Sequence, residues 1–403
     1  MTGADPGRVL AGVLREHGSR LASALMALLG DFAAAEDLVS DAVEKALRTW
    51  PRDGIPDDPQ AWLFTVARRR GLDLLRRETN YRDKLRELRR PGRAEADDRL
   101  RLMFICCHPA LSREAQVALT LRMVCGLDTG QLAKAFLVSE SAVAQRITRA
   151  KRKISQAGIP YRTPSDSELA ERLHEVLAVI YLLFNEGYLA TGVPGDLDLA
   201  ADAEWLAGLL DRLLPGEPEV MGLLALIRLH RARAAARFDG AGRIVLLRDQ
   251  DRSRWDHALI GRAIELLVAA ARIRQPGPYQ VQAAIVACHA EAADWATTDW
   301  PQIVVLYELL SAMAPSPVIR LHQAIARAQV EGPESALTTV DELTGQLAGY
   351  HLLHATRAEL LRQLGRSEEA AGADRRALAL TRNPAEQALL EQRLRGNPAS
   401  HRR

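Results

Sequence analysis

Aromatic residues make up only 5% of this chain, and cysteine occurs four times in 403 residues, at Cys106, Cys107, Cys125 and Cys288. Four cysteines with no repeated spacing do not make a disulfide framework, and adjacent Cys106 and Cys107 lack the paired CxxC spacing of a zinc site. Buried free thiols in a reducing cytoplasm are the expectation. No stretch alternates β-branched with polar residues, which argues against a large sheet. The longest apolar runs, such as Val176 to Phe184, fall well short of the roughly 20 residues that span a bilayer. Met1 to Leu14 carries charges throughout and has no apolar core of a secretory signal. No nucleophile elbow, P-loop or dinucleotide fingerprint is present. His289, Glu291 and Asp294 share one stretch but lack a second ligand pair at metal-binding spacing. We therefore expect no catalytic chemistry, no cofactor and no metal.

What the chain has in abundance is Ala, Leu, Arg and Glu, which lose little rotamer freedom in a helix. The expected fold class is all-α, and the length suggests two or three domains. The net charge of +2 conceals a division. Residues 1–163 hold 28 Lys+Arg against 20 Asp+Glu, a formal +8, while the remainder holds 25 against 31, a formal −6. A basic front half suits a polyanionic partner; an acidic rear half does not.

The front half reads as two helical units. The first runs from about Val9 to Trp50, with Phe32, Leu38, Val39, Ala42, Val43, Ala46 and Leu47 forming an apolar face. A turn over Pro51 to Gln60, rich in Pro and Asp, leads into AWLFTVARRRGLDLLRR, Ala61 to Arg77. There Leu63, Val66, Ala67, Leu74 and Leu75 are expected to face a core. Residues 81–99, charge-rich and poor in apolar positions, read as a flexible or partly helical linker. The second unit spans 100–160. Ser112 is placed to cap a helix that Gly126 ends, a short helix follows around Gln131 to Phe136, and then comes LVSESAVAQRITRAKRKI. In that last stretch Val143, Ile147, Ala150 and Ile154 make one apolar stripe, Ser139 stands at the N-cap, and the other faces are basic. Two helices joined by a tight turn, the second amphipathic and cationic, describe a helix-turn-helix.

Residues 161–403 read as helical hairpins. Ala324 and Ala358, and likewise Ala336 and Ala370, lie 34 residues apart, the period of a tetratricopeptide repeat, and 317–384 is expected to be tetratricopeptide-like. NEGY (Asn185 to Tyr188) and the acids of RDQDRSRWD (Arg248 to Asp256) invite a ligand-pocket reading, although such residues more often cap helices or form internal ion pairs.

With these motifs in view, the chain resembles the group IV (extracytoplasmic-function) sigma factors of bacterial RNA polymerase. AEDLVSDAVEKALRTW and AWLFTVARRRGLDLLRR resemble sigma region 2, and Leu111 to Ile154 resembles region 4, with no room between them for a folded region 3. YLLFNEGYLATG, LLRDQDRSRWD and TDWPQIVVLYELL resemble the subgroup with a long helical C-terminal extension. Leu137 occupies a turn position where family members often carry glycine.

The resemblance implies roles for named residues. The helix after Ser139 would read a −35 promoter element. Ser139, Ser141, Ala142, Gln145 and Arg146 would reach base edges, and Arg149, Arg152 and Lys153 would follow phosphates. Residues 1–80 would capture and open a −10 element, with Arg69, Arg70, Arg76 and Arg77 as clamps and Trp62 either stacking on a base or simply packing in the core. Asp37, Asp41 and Glu44, on one helix face, would dock on the β′ clamp of core polymerase, and region 4 on the β flap. The implied partners are core RNA polymerase, promoter DNA and a protein or peptide ligand of the C-terminal domain, in the cytoplasm and away from membranes. Residues 161–403 would regulate the sigma activity in cis. Two other readings compete: a helix-turn-helix regulator that acts without polymerase, and an enzyme in the rear half using Asp249 and Asp251.

Overall fold

The computed structural model describes residues 5–29, 32–77, 94–136, 138–157, 159, 164–189, 198–240 and 242–396. All regular structure among them is helical, with one isolated bridge between Phe238 and Ile244. The chain divides into two compact units, Met1–Leu183 and Phe184–Arg403, so the division falls later than the expected boundary at 160/161.

The first unit opens with α1 (Pro6–Leu29), α2 (Phe32–Asp53) and α3 (Pro59–Arg77). Leu21, Leu25, Leu38, Ala42, Ala46, Trp50, Leu63 and Ala67 are buried, giving these helices one shared apolar seam. Small residues bring the helices close: a Cβ on Gly71 would lie 3.0 Å from Leu28 Cδ2 and 3.1 Å from Leu38 Cδ1. Two expectations fail here. Leu47 and Leu74 are 50% and 42% exposed, because the seam is narrower than the full set of apolar positions. The turn also begins later than Pro51, which sits in the last turn of α2; Gly54, at φ +84°, ends the helix instead. Asp58 Oδ1 then accepts the Ala61 N–H at 2.9 Å and caps α3.

A second bundle follows: α4 (Ala94–Cys106), α5 (Arg113–Met123), α6 (Thr129–Phe136) and α7 (Glu140–Gln156). Helix α4 starts inside the segment expected to be linker; the rest of that linker, 81–93, lies outside the described residues. Leu102, Met103, Phe104, Leu119, Leu121 and Leu132 fill the core. Cys106, Cys107 and Cys125 are buried free thiols, and burial pushes the Cys107 thiol up to about 12. Ser112 takes the N-cap position of α5 without a capping side-chain bond. Gly126, at φ +77°, follows the helix as expected. The next helix, α8 (Asp166–Leu189), is tied to this bundle at its start: Arg172 donates to the Phe104 carbonyl, and Arg113 Nη1 meets Glu175 Oε2 at 2.9 Å.

The second unit continues with α9 (Leu199–Leu213), α10 (Pro218–Arg231), an irregular stretch through 232–256, α11 (His257–Arg272), α12 (Pro278–Glu291) and α13 (Trp300–Met313). Helix α10 is apolar nearly all round and is the buried centre, packed by α9, α11 and α12. Close approach depends on glycine: a Cβ on Gly187 would lie 2.4 Å from the Ala200 nitrogen, and one on Gly222 2.7 Å from that of Gln280. The C-terminal helices are α14 (Pro317–Glu331), α15 (Pro333–Glu342), α16 (His351–Gln363), α17 (Ser367–Leu380) and α18 (Pro384–Arg395). Ala324, Ala336, Ala358 and Ala370 all lie buried in one cluster with Leu321, Val340 and Leu361.

Candidate nucleic-acid interface

Helix α7 is built from its seam outward. Val143, Ile147, Ala150 and Ile154 are the buried residues, on the expected stripe. Ser139 Oγ accepts the Ala142 N–H at 3.2 Å and contacts Ser141 Oγ at 3.0 Å, so this serine works as the helix cap. Around the rest of the helix Ser141, Ala142, Gln145, Arg149, Arg152 and Lys153 are exposed, and Arg146 is half-buried. A surface groove of about 420 Å³ runs between α7 and the start of α5. It is lined by Ser112, Ala142, Gln145, Arg146, Arg149 and Lys153 with Leu111, Ala115 and Ala150 at its floor. Arg152 lies outside it. Arg146, Arg149 and Lys153, one helix N-terminus and an amide side chain on one concave surface suit a polyanion with readable edges. Leu137, in the preceding turn, lies outside the described residues.

Lys151 behaves differently from its neighbours. It turns inward within the first unit, where its Nζ contacts the Glu36 carboxylate of α2, and Arg122 Nε lies 3.8 Å from the same group. Beside them is a cavity of about 400 Å³ lined by Leu14, Val39, Val43, Met123 and Gln131 among others. Burial pushes the Lys151 ammonium down to about 8. Neither Glu36 nor Lys151 stood out in the sequence, because nothing local distinguishes them from other surface charges.

On the first bundle, Asp37 and Glu44 are exposed on α2 and Arg69 on α3. Asp41 and Arg70, given separate roles above, meet each other at 3.0 Å. Trp62 packs edge-on against Trp50, with ring centroids 5.5 Å apart and planes at 66°, which favours its core reading. The side chains of Arg76 and Arg77 lie outside the described residues.

In the second unit the acids of Arg248 to Asp256 face outward. Asp251 Oδ1 accepts from Ser253 N at 3.0 Å, Asp256 Oδ1 accepts from Leu259 N at 2.8 Å and caps α11, and Asp249 pairs with Arg248. They are caps and a surface pair, so the carboxylates have no shared site at which to act. His289 stacks beside Trp295 and lies edge-on to Trp300, and Asp294 accepts from Thr297 N at 2.8 Å. Of the arginines in Arg248 to Asp256, Arg252 turns inward, onto the His289 and Ala292 carbonyls, while Arg248 and Arg254 stay exposed, a division the sequence pattern did not disclose.

Comparison with known proteins agrees with the front half and extends it. Residues 13–81 match sigma-70 region 2, residues 101–154 match sigma-70 region 4, and residues 172–271 match a family of unknown function, DUF6596. An uncharacterized protein of Rhizobium meliloti (strain 1021) is 46% identical over 387 residues, 92% of each chain. The probable ECF RNA polymerase sigma factor SigI of Mycobacterium tuberculosis (strain ATCC 25618 / H37Rv) is 27% identical over 158 residues, 36% of this chain and 54% of SigI. No solved structure matches the chain. Sigma regions are not enzymes, and no described helix is long and apolar enough to cross a membrane. The chain thus belongs to the family of the Rhizobium meliloti protein, and it joins sigma-70 regions 2 and 4 to a C-terminal DUF6596 domain.

Proposed function

We propose that this chain is a sigma factor that binds core RNA polymerase, directs promoter-specific initiation, and is regulated in cis by residues 161–403. One observation carries the reading: a dry aliphatic seam holds α7 in place while Gln145, Arg146, Arg149, Arg152 and Lys153 stay available on its outer faces. In this reading α7 takes the −35 element, Arg69 and its neighbours on α3 take the −10 element, and Asp37 and Glu44 meet the polymerase clamp. The match to SigI over the sigma regions supports it. The C-terminal helices are read as tetratricopeptide-like from the common burial of alanines 34 residues apart, and as a surface for a protein or peptide. The protein would act in the cytoplasm.

In-vitro transcription tests both parts. Core polymerase with the full chain and a template library is expected to give transcripts from a two-part promoter; a chain that binds DNA without associating with core polymerase would instead be a stand-alone regulator. A chain ending at Leu189, which keeps the ties between α8 and α5, is expected to change promoter-dependent output. Unchanged output and unchanged regulation would remove the cis-regulatory part.

A further inference from the structure

The second unit buries one arginine and half-buries two more with no carboxylate partner among the described residues. Arg233, just after α10, is 8% exposed. Its Nη2 donates to Tyr188 Oη at 2.9 Å and lies 3.2 Å from His230 Nδ1, and its Nε has no acceptor among the described residues. Arg252 also approaches the Trp255 indole. Its Nη1 donates to the His289 and Ala292 carbonyls, and its Nη2 also lacks an acceptor. The Arg252 and Arg233 guanidinium carbons lie 4.9 and 6.0 Å from the Trp255 ring centre. Trp255 is 3% exposed, and its Nε1–H is likewise unmatched. A third guanidinium, that of Arg237, lies 3.6 Å over the Tyr188 ring and donates to the Tyr188 carbonyl.

No carboxylate among the described residues pairs with any of these three arginines. The acids nearest in sequence to Arg252 are spent on helix caps, and Asp294, which acts on Arg252 from a distance, is held by Thr297. The two histidines in the cluster add no further positive charge, since burial and the adjacent guanidiniums keep both neutral: His289 falls to about 4 and His230 well below its usual range. An arginine stays charged wherever it is put, and burying one unpaired costs several kcal/mol. Among the described residues Arg233 Nε, Arg252 Nη2 and Trp255 Nε1 lack acceptors, and His289 Nδ1 also lacks a partner; this surplus of donors is the chemistry that receives an oxyanion.

We propose that Arg233, Arg252 and Trp255 bind a phosphate group inside the DUF6596 domain, either as inorganic phosphate or as the phosphoryl end of a small monoester. Phosphate suits donors from three separate side chains because its tetrahedral oxygens accept from several directions, whereas a monocarboxylate accepts in one plane. The site is independent of the transcriptional reading: it rests on residues of the second unit alone.

Thermal unfolding of the full chain tests it, with inorganic phosphate, phenyl phosphate and acetate each compared against sodium chloride at matched ionic strength. Phosphate at about 100-fold over its Kd is expected to raise the midpoint by roughly 5 to 10 °C. A larger rise with phenyl phosphate identifies the monoester as the better ligand. Arg252→Gln, which keeps an amide donor for the two backbone carbonyls, should lose the increment, whereas the exposed neighbour Arg254→Gln should keep it. Should Arg252→Gln not fold, phosphorus NMR line broadening on the unaltered chain, with Arg233→Lys as second variant, decides the same question. No phosphate-specific increment and no broadening, an equal response to acetate, or a full increment in both arginine variants would overturn the proposal.

Discussion

Lys151 of α7 and Glu36 of α2 are in contact, and this pair ties the recognition-like helix to a helix of the first bundle within one compact unit. The lysine side chain is 15% exposed and the glutamate 24%, so the pair is shielded from solvent without being fully dry. Every other Lys or Arg on the outer faces of α7 is turned away from this contact. The cation that would add to a polyanion surface is spent on an internal attachment.

Replacing Glu36 with lysine should therefore loosen α7 from α2. Removing one partner of a fully buried pair costs about 3–5 kcal/mol, and partial exposure here brings the expected loss to about 2 kcal/mol. A pair of fluorophores on α2 and α7 would report the separation by energy transfer. An unchanged distance in Glu36→Lys would show that the apolar contacts around the cavity alone hold the two together.

The two kinds of cation on α7 should separate by salt and sequence dependence. Arg146 lines the groove beside Gln145, whereas Arg152 stands outside it. Arg146→Ala should weaken promoter binding by about 1–3 kcal/mol and relax the preference for one base. Arg152→Ala should weaken binding to all sequences and reduce the slope of log affinity against log salt by about 1. Equilibrium binding to a set of single-base variants at several salt concentrations reads both, and identical behaviour would remove the distinction between the faces.

Acid should weaken the second unit before it reaches ordinary carboxylate range. His289 titrates near 4 in the folded chain because burial, then Arg233 and Arg252, oppose its charge. The unfolded chain takes up that proton near 6.5, so it binds more protons than the folded chain between about 6.5 and 4. Stability contributed by neutral His289 is complete above 6.5 and falls with pH across this window, by at most about 3 kcal/mol. Denaturant unfolding at pH 7 and pH 4.5 measures the loss, and His289→Gln should shrink it.

Glu359 on α16 gathers three arginines: Arg248 Nη1 at 2.8 Å, Arg362 Nη1 at 2.6 Å and Arg393 Nη2 at 3.6 Å. Arg362 also reaches the buried Asp374 at 2.6 Å. Glu359→Gln removes the common acceptor charge and should destabilise the second unit by about 2 kcal/mol, a figure reduced for the partial exposure of the arginines. Protection of the α16 and α17 amides from hydrogen exchange should fall with it, and unchanged protection would assign the hairpin's stability to its alanine-rich core alone.

The elements that periodicity decides were legible. The four-residue seam of α7 and its serine cap follow from local pattern, because each depends on neighbours within one or two helical turns, and the 34-residue alanine spacing was visible as a repeat. What failed depended on partners far along the chain. Leu47 and Leu74 carry the right period but lie at the edge of a seam whose width other helices set. In Arg248 to Asp256 the acids drew attention as candidate ligands, yet they face outward and it is Arg252 that faces in. Charge alone does not say which side of a loop is buried, and the His289 and Ala292 carbonyls that receive the Arg252 guanidinium come from another segment. Asp41 and Arg70 were separable by helix face in the sequence but share one contact across α2 and α3.

The smallest residue of the NEGY stretch has the least freedom to change. Gly187 stands one position before Tyr188, and the start of α9 lies so near that even a methyl group would press on the Ala200 nitrogen. At that position the missing side chain is what the packing uses: alanine, elsewhere the mildest of replacements in a helix, would here push two helices apart and carry the Tyr188 hydroxyl off Arg233.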